Sequence, residues 1–137
     1  MNAISSTSRT YCYNDNFNKI SLFTGEKPLN YVNEKFLNRV LKVIQNHITE
    51  NEFSIEEFSR EVGFSRAHLH RKLKSLTGNS ASRNIMLFRL SIAREMIRNQ
   101  EGNISEIAYS VGFSSPVYFS RCFKNTFGYP PSKLEET

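Results

Sequence analysis

Arg66, Arg71, Lys72 and Lys74 fall within nine residues of the stretch "VGFSRAHLHRKLKSLTG" (62–78), together with His68 and His70. Guanidinium and ammonium groups at this density can serve a polyanion. An arginine bonds both acceptors on a guanine edge, and a lysine neutralises phosphate as a compact charge. The competing reading is a solvated helix face, which is what most charge runs on helices are. The two histidines invite a metal, but residues two apart on a helix point to different sides and no third ligand stands at useful spacing, so no metal is expected. His68 is expected as a partly buried packing residue and His70 as a groove or phosphate contact.

Enzymatic chemistry finds little support. Cys12 in "TYCYND" is the one nucleophile worth testing. A reactive cysteine needs an electropositive, structured pocket and a partner base, and a cysteine in a polar tail has neither. No Gly-rich phosphate loop, paired carboxylates or Ser/His/Asp set stands out, so no catalytic residue and no cofactor are expected. Cys12 and Cys122 are far apart and form no CxxC, which suggests neither a disulfide framework nor a zinc site. Cys122 reads as a small apolar packing residue.

The whole composition agrees with an anionic partner. The chain has 137 residues, 18 Lys or Arg against 13 Asp or Glu, and a formal charge of +5. From 62 to 100 eight basic residues (66, 71, 72, 74, 83, 89, 94, 98) face one acid, Glu95, so the middle third carries the excess. No apolar run approaches the roughly 18 residues of a membrane span, and the N-terminus lacks the apolar core of a signal peptide. The expected compartment is the cytoplasm, with no membrane partner.

The elements that must position these residues are helical. Residues 1–31 are rich in Ser, Asn and Thr, contain the turn-like string "TGEKP", and read as a flexible tail or linker. After Asn33, a candidate N-cap, Phe36, Leu37, Val40, Leu41, Ile44 and Ile48 recur at helical spacing. Ser54 and Glu57 form the S-x-x-E capping box of a short helix that Gly63 ends. Ser65 caps the basic helix, and Phe64 and Leu69 stand at the spacing of a hydrophobic staple. A linking helix follows over about 80–100, apolar over more than one stripe, as a connector touching two small bundles would be.

The chain then repeats itself. "FSIEEFSREVGFS" (53–65) matches "GNISEIAYSVGFS" (102–114) at an offset of 49, including the whole of "VGFS". With Ser115 as one inserted residue the offset becomes 50 and pairs Leu69 with Phe119, Arg71 with Arg121, Leu73 with Phe123, Lys74 with Lys124 and Gly78 with Gly128. Both copies read as cap, short helix, glycine turn, second helix and terminal glycine. Pro116 sits at the first helical position of the second copy. Two short helices joined by such a turn make a helix-turn-helix, whose second helix can enter the major groove.

The residues "RLSIAREMI" (89–97), "ISEIAYSVGFSSPVYFSRCFKNTFGYPPSKL" (104–134) and "LHRKLKSLTG" (69–78) resemble the C-terminal DNA-binding domain of AraC/XylS-type transcriptional regulators. The resemblance covers about 34–136. It implies an all-α, homeodomain-like fold of about seven helices over 32–137: a first helix-turn-helix unit at about 34–78, the linking helix at 80–100 and a second unit at about 103–128. It also implies sequence-specific binding of double-stranded DNA in transcription regulation, with recruitment of RNA polymerase. The segment "KPLNYVNEKFL" is similar to the junction of hybrid two-component regulators in that family. The tail is too short to be a regulatory domain, which leaves open a stand-alone member or the C-terminal portion of a longer chain that carries one.

Carried over by position, the family pattern puts the base-facing side of the first recognition helix on Arg66, Ala67, His70 and Arg71. In the second it falls on Pro116, Val117, Ser120 and Arg121. Arg71 and Arg121 suit guanine. Lys74 and Lys124, one turn on, and the caps at Ser65 and Ser115 suit phosphates. Leu69, Leu73, Phe119 and Phe123 are expected in the core. A linking helix of 21 residues spans about 30 Å, which predicts two recognition helices in successive major grooves. The alternative is a partner-binding module that keeps the fold but reads no DNA, because residues 102–137 balance three basic residues with three acids and offer Pro116, Val117 and Tyr118 where polar readers are expected.

Overall fold

Apolar residues at 36, 37, 40, 41 and 44 put one stripe along a helix, and the computed structural model winds them into α1 (Tyr31–Asn46). It describes the backbone of residues 9–15, 18–25 and 31–135. α1 begins two residues before the expected cap at Asn33. Tyr31 accounts for the difference: Lys35, one turn on, lies over its ring at 5.3 Å from the centroid and supports the first turn. From Tyr31 onward the described chain is all-helical, as the periodicity predicts. After α1 come α2 (Ile55–Val62), α3 (Arg66–Thr77), α4 (Ala81–Arg98), α5 (Ile104–Ser110), α6 (Pro116–Phe127) and α7 (Pro131–Glu135).

The segment expected to be a tail differs from that reading. It holds two strands, β1 (Arg9–Asp15) and β2 (Asn18–Gly25), paired antiparallel with Tyr11 opposite Leu22 and Tyr13 opposite Ile20. Thr, Tyr, Ile, Leu and Phe favour extended backbone, and the pairing joins two runs that are each too short to show a sustained period. Of the rest of the expected tail, Tyr31 belongs to α1 and the other positions lie outside the described residues.

The repeat holds down to single hydrogen bonds. Ser54 and Glu57 form the predicted capping box of α2, and Asn103 and Glu106 form the same box on α5, 49 residues later. At the first turn the N–H of Phe64 donates to the Ser59 carbonyl at 3.0 Å; at the second the N–H of Phe113 donates to the Ala108 carbonyl at 3.0 Å. Both are the long bond of a glycine-terminated helix end. α3 and α6 each have 12 residues, a serine cap before them and a left-handed glycine after them, Gly78 with φ 79° and Gly128 with φ 87°.

The chain divides into two compact units. One holds α1, α2, α3 and the part of α4 up to Phe88; the other holds residues 47–52, α4 from Arg89 onward, and α5 to α7. In the first unit Leu37, Val40, Leu41, Phe58, Leu69, Leu73 and Phe88 are all fully buried. In the second, Leu90, Ala93, Ala108, Phe119 and Phe123 are fully buried, with Cys122 packed beside them as expected. Each fully buried Leu or Phe contributes about 1.5–3 kcal/mol against about 1 kcal/mol for a cap. Packing therefore stabilises the units, and the caps set where each helix begins. Asn84, fully buried on α4, donates to the Thr77 hydroxyl at 3.1 Å and to the Ser80 carbonyl at 2.9 Å, which secures the exit from α3.

Candidate nucleic-acid interface

The recognition helix of the first unit has a clean division of faces. Leu69, Leu73 and Leu76 are buried, whereas Arg66, Ala67, His70, Arg71 and Lys74 are exposed. Positions 67, 70, 71 and 74 lie three or four apart, so they share one face of α3. In the second unit Val117, Arg121 and Lys124 are exposed at the equivalent places on α6, Pro116 and Ser120 are half-buried, and Phe119 and Phe123 are fully buried. The four residues expected in the core are all there.

Five of the eight basic residues between 62 and 100 have a partner within the chain, and three of them, Lys72, Arg89 and Arg94, are not exposed, which the charge count alone does not reveal. Lys72 lies over the Phe36 ring at 5.1 Å. Arg94 lies over Phe127 at 4.1 Å. Arg98 pairs with Glu95 at 2.8 Å. Arg89 is buried, its Nη1 donating to the Gly112 carbonyl and its Nη2 to the Glu50 carbonyl, both at 2.6 Å. Burial pushes its pKa down and the neighbouring Glu50 charge partly offsets this; an arginine stays charged regardless. Arg66 reaches Glu56 at 3.4 Å, with both side chains about two-thirds exposed, a pair worth about 0–1 kcal/mol and easily exchanged for another partner. Among the described residues, Arg71, Lys74, Arg121 and Lys124 have no carboxylate within ion-pair distance. Arg71 and Lys74 on the outer face of α3, and Arg121 and Lys124 on that of α6, are thus among the exposed cations left for an external anion.

The caps are occupied as caps. The Ser65 hydroxyl accepts the His68 N–H and the Ser115 hydroxyl accepts the Tyr118 N–H, each at 3.2 Å. Each leaves first-turn N–H groups pointing out along its helix axis, fewer at α6 because Pro116 has none. His68 is exposed rather than partly buried, with its ring tilted at 46° against Phe64, 4.5 Å between centroids. Its equivalent, Tyr118, faces Phe113 at 6.1 Å. A hydrogen bond with Cys122 raises the Tyr118 pKa.

Arg89 is the residue that sequence reasoning missed. Two signals for it exist: an arginine inside the apolar run "IMLFRLSIA", and its place 50 residues after Arg39 in "NRVLKVI". A Cβ on Gly112 would run into the Arg89 guanidinium and the Ile48 carbonyl, and Gly112 has φ 94°. Glycine is required there twice over.

No helix among the described residues is long and apolar enough to cross a membrane. The chain matches the family described as "Helix-turn-helix domain" over residues 58–137. It is 34% identical over 110 residues to "Histidine kinase P4" of Formosa agariphila, covering 80% of this chain and 8% of that protein. It is 33% identical over 96 residues to "HTH-type transcriptional activator RhaS" of Mannheimia succiniciproducens, covering 70% of this chain and 35% of that one. The chain thus spans well under half the length of these relatives. Among solved structures it resembles an AraC-type transcriptional regulator of Chromobacterium violaceum, with TM-score 0.71 and 27% identity over 78% of this chain and 95% of that one. It also resembles the DNA-binding domain of AdpA, a global transcriptional factor solved with a target DNA, with TM-score 0.65 and 25% identity over 73% of this chain and 89% of that one. With its two matched helix-turn-helix copies and these relatives, the chain belongs to the AraC-type family of helix-turn-helix DNA-binding transcription regulators.

Proposed function

We propose that the chain binds a specific double-stranded DNA site, with α3 and α6 entering successive major grooves of a promoter. The observation that carries the reading is the matched outer face of the two 12-residue helices: arginine and lysine stand at equivalent positions, 50 residues apart, without carboxylate partners among the described residues. Base edges fall to Arg66, Ala67, His70 and Arg71 on α3 and to Pro116, Val117, Ser120 and Arg121 on α6. Phosphates fall to Lys74 and Lys124 and to the first-turn N–H groups beside Ser65 and Ser115.

α4 has 18 residues, about 27 Å of helix. One turn of B-DNA advances about 34 Å. A connector somewhat shorter than that spacing favours DNA bent toward the protein, at a cost of a few kcal/mol set by local flexibility. Because the two outer faces carry different residues, the site is an asymmetric run rather than a palindrome.

The action assigned to the bound protein is recruitment of RNA polymerase in the cytoplasm. That assignment draws on the similarity to RhaS, a transcriptional activator. The small share of the kinase that is matched fits a regulatory domain on a longer chain. Selection of bound duplexes from a random DNA pool tests the reading. Enrichment of one asymmetric site is the expected result; no enrichment above background would overturn it.

A further inference from the structure

Val117 is 71% exposed at the second position of α6, and the fold gives no reason for it. Valine is a mediocre helix former, since its branched side chain loses freedom against the preceding turn. At this exposure it contributes little packing. Its neighbour Pro116 has no hydrogen-bonding side chain, and Tyr118, half-exposed, sets its ring toward Phe113. The first turn of α6 therefore presents an isopropyl group where α3 has the methyl of Ala67, and a proline where α3 has Arg66.

The surroundings restrict what can cover that group. Arg121 and Lys124 follow one and two turns along the same helix, exposed and without carboxylate partners among the described residues. Lysine is depleted at protein interfaces, which weighs against a protein surface covering Val117 and Lys124 together. A surface that accepts an apolar group and two cations together is a phosphate-lined groove. The major groove offers one apolar feature on its base edges, the methyl on C5 of thymine. 5-Methylcytosine carries the same methyl at the same place.

We propose that Val117 is a specificity-determining residue that reads a pyrimidine C5-methyl group by direct contact, next to the guanine edge bonded by Arg121. The proposal rests on the DNA-binding reading and names the chemistry of its second half. Four residues of helix rise about 6 Å, so the thymine stands within about two base steps of the guanine. The first unit, with Ala67 at the equivalent position, depends less on a methyl.

The test uses the full chain and the site obtained by selection. Each thymine of the half-site assigned to α6 is replaced in turn by deoxyuridine, which removes only the methyl, and affinity is read by fluorescence anisotropy. One position should weaken about three- to fivefold, the worth of one buried methyl-sized group. Val117→Ala, an exposed change whose fold is checked by circular dichroism, should weaken the thymine duplex and abolish the difference between thymine and deoxyuridine. Cytosine at that position should weaken binding, and 5-methylcytosine should recover part of the loss. Specific binding that is indifferent to every deoxyuridine would overturn the proposal and leave the DNA-binding reading intact. So would a deoxyuridine penalty that survives Val117→Ala. Unchanged DNA binding by Val117→Ala would overturn it as well and turn the residue toward a protein partner. Absence of any selected site would instead overturn the reading on which the proposal stands.

Discussion

Arg89 on α4 holds the carbonyl of Gly112, in the turn between α5 and α6, with a 2.6 Å hydrogen bond from Nη1. The same guanidinium holds the Glu50 carbonyl through Nη2. One buried cation thus satisfies two backbone carbonyls, that of buried Gly112 and that of Glu50 at a part-buried site. The first unit has a counterpart without the lock. Arg39 lies 50 residues before Arg89, and its Nη2 is the nearest group to a Cβ built on Gly63, at 4.0 Å. The duplication therefore reaches upstream into α1 and α4, and only its second copy has drawn the arginine inside.

The two turn glycines should respond differently to the same substitution. Gly63 and Gly112 both have left-handed φ, 89° and 94°, so alanine at either costs about 1–2 kcal/mol in backbone strain. Gly112→Ala adds a collision with a backbone carbonyl and a buried guanidinium. Urea unfolding should show a loss of about 1–2 kcal/mol for Gly63→Ala and clearly more than about 3 kcal/mol for Gly112→Ala. Equal losses would contradict the locked turn.

Arginines of α4 should divide by burial. Arg89→Ala leaves two carbonyls unpaired, at about 1–3 kcal/mol each. Arg89→Lys should recover little, since one ammonium does not match the planar fork that spans both acceptors. Arg98, in an exposed pair with Glu95, should cost no more than about 0.5 kcal/mol on substitution by alanine. Thermal melts of the three variants give the ranking directly.

Arg71 and Lys74 should fail in different ways. Arg71→Ala should relax preference at one base pair by about 1–3 kcal/mol. Lys74→Ala should weaken all duplexes alike and lower the slope of log affinity against log salt by about one. Binding isotherms at several salt concentrations, on the selected site and a scrambled one, separate the two.

Much of this was legible in the sequence because the repeat carries its own controls. "VGFS" occurs twice, each time after a capping box and before a serine-capped helix, so local hydrogen bonding marked where α2, α3, α5 and α6 begin and end. The rows Leu69, Leu73 and Phe119, Phe123 declared the buried faces, and with them the outward positions 67, 71, 117 and 121. What was not legible depends on long-range geometry. Lys72, Arg89 and Arg94 look like surface charge in a composition count, yet the fold sets them on Phe36, on two carbonyls and on Phe127. The strand pair was hidden for a related reason: pairing of β1 with β2 is a contact between segments, and neither run announces it alone.

Unequal weight on the two units is a further expectation. In the first unit Arg66, His70, Arg71 and Lys74 are all exposed on α3, whereas α6 exposes Arg121 and Lys124 beside Val117. Arg71→Ala should therefore cost more total affinity than Arg121→Ala in a titration on the selected duplex. The reverse order would contradict the asymmetry.

Hydroxyl-radical footprinting of the selected duplex tests the central claim most directly. One monomer should protect two patches about 10 base pairs apart on one face of the DNA. Arg121→Ala should weaken the patch assigned to α6 while the other persists. A single patch indifferent to Arg121→Ala, or a strict requirement for an inverted repeat, would contradict the account.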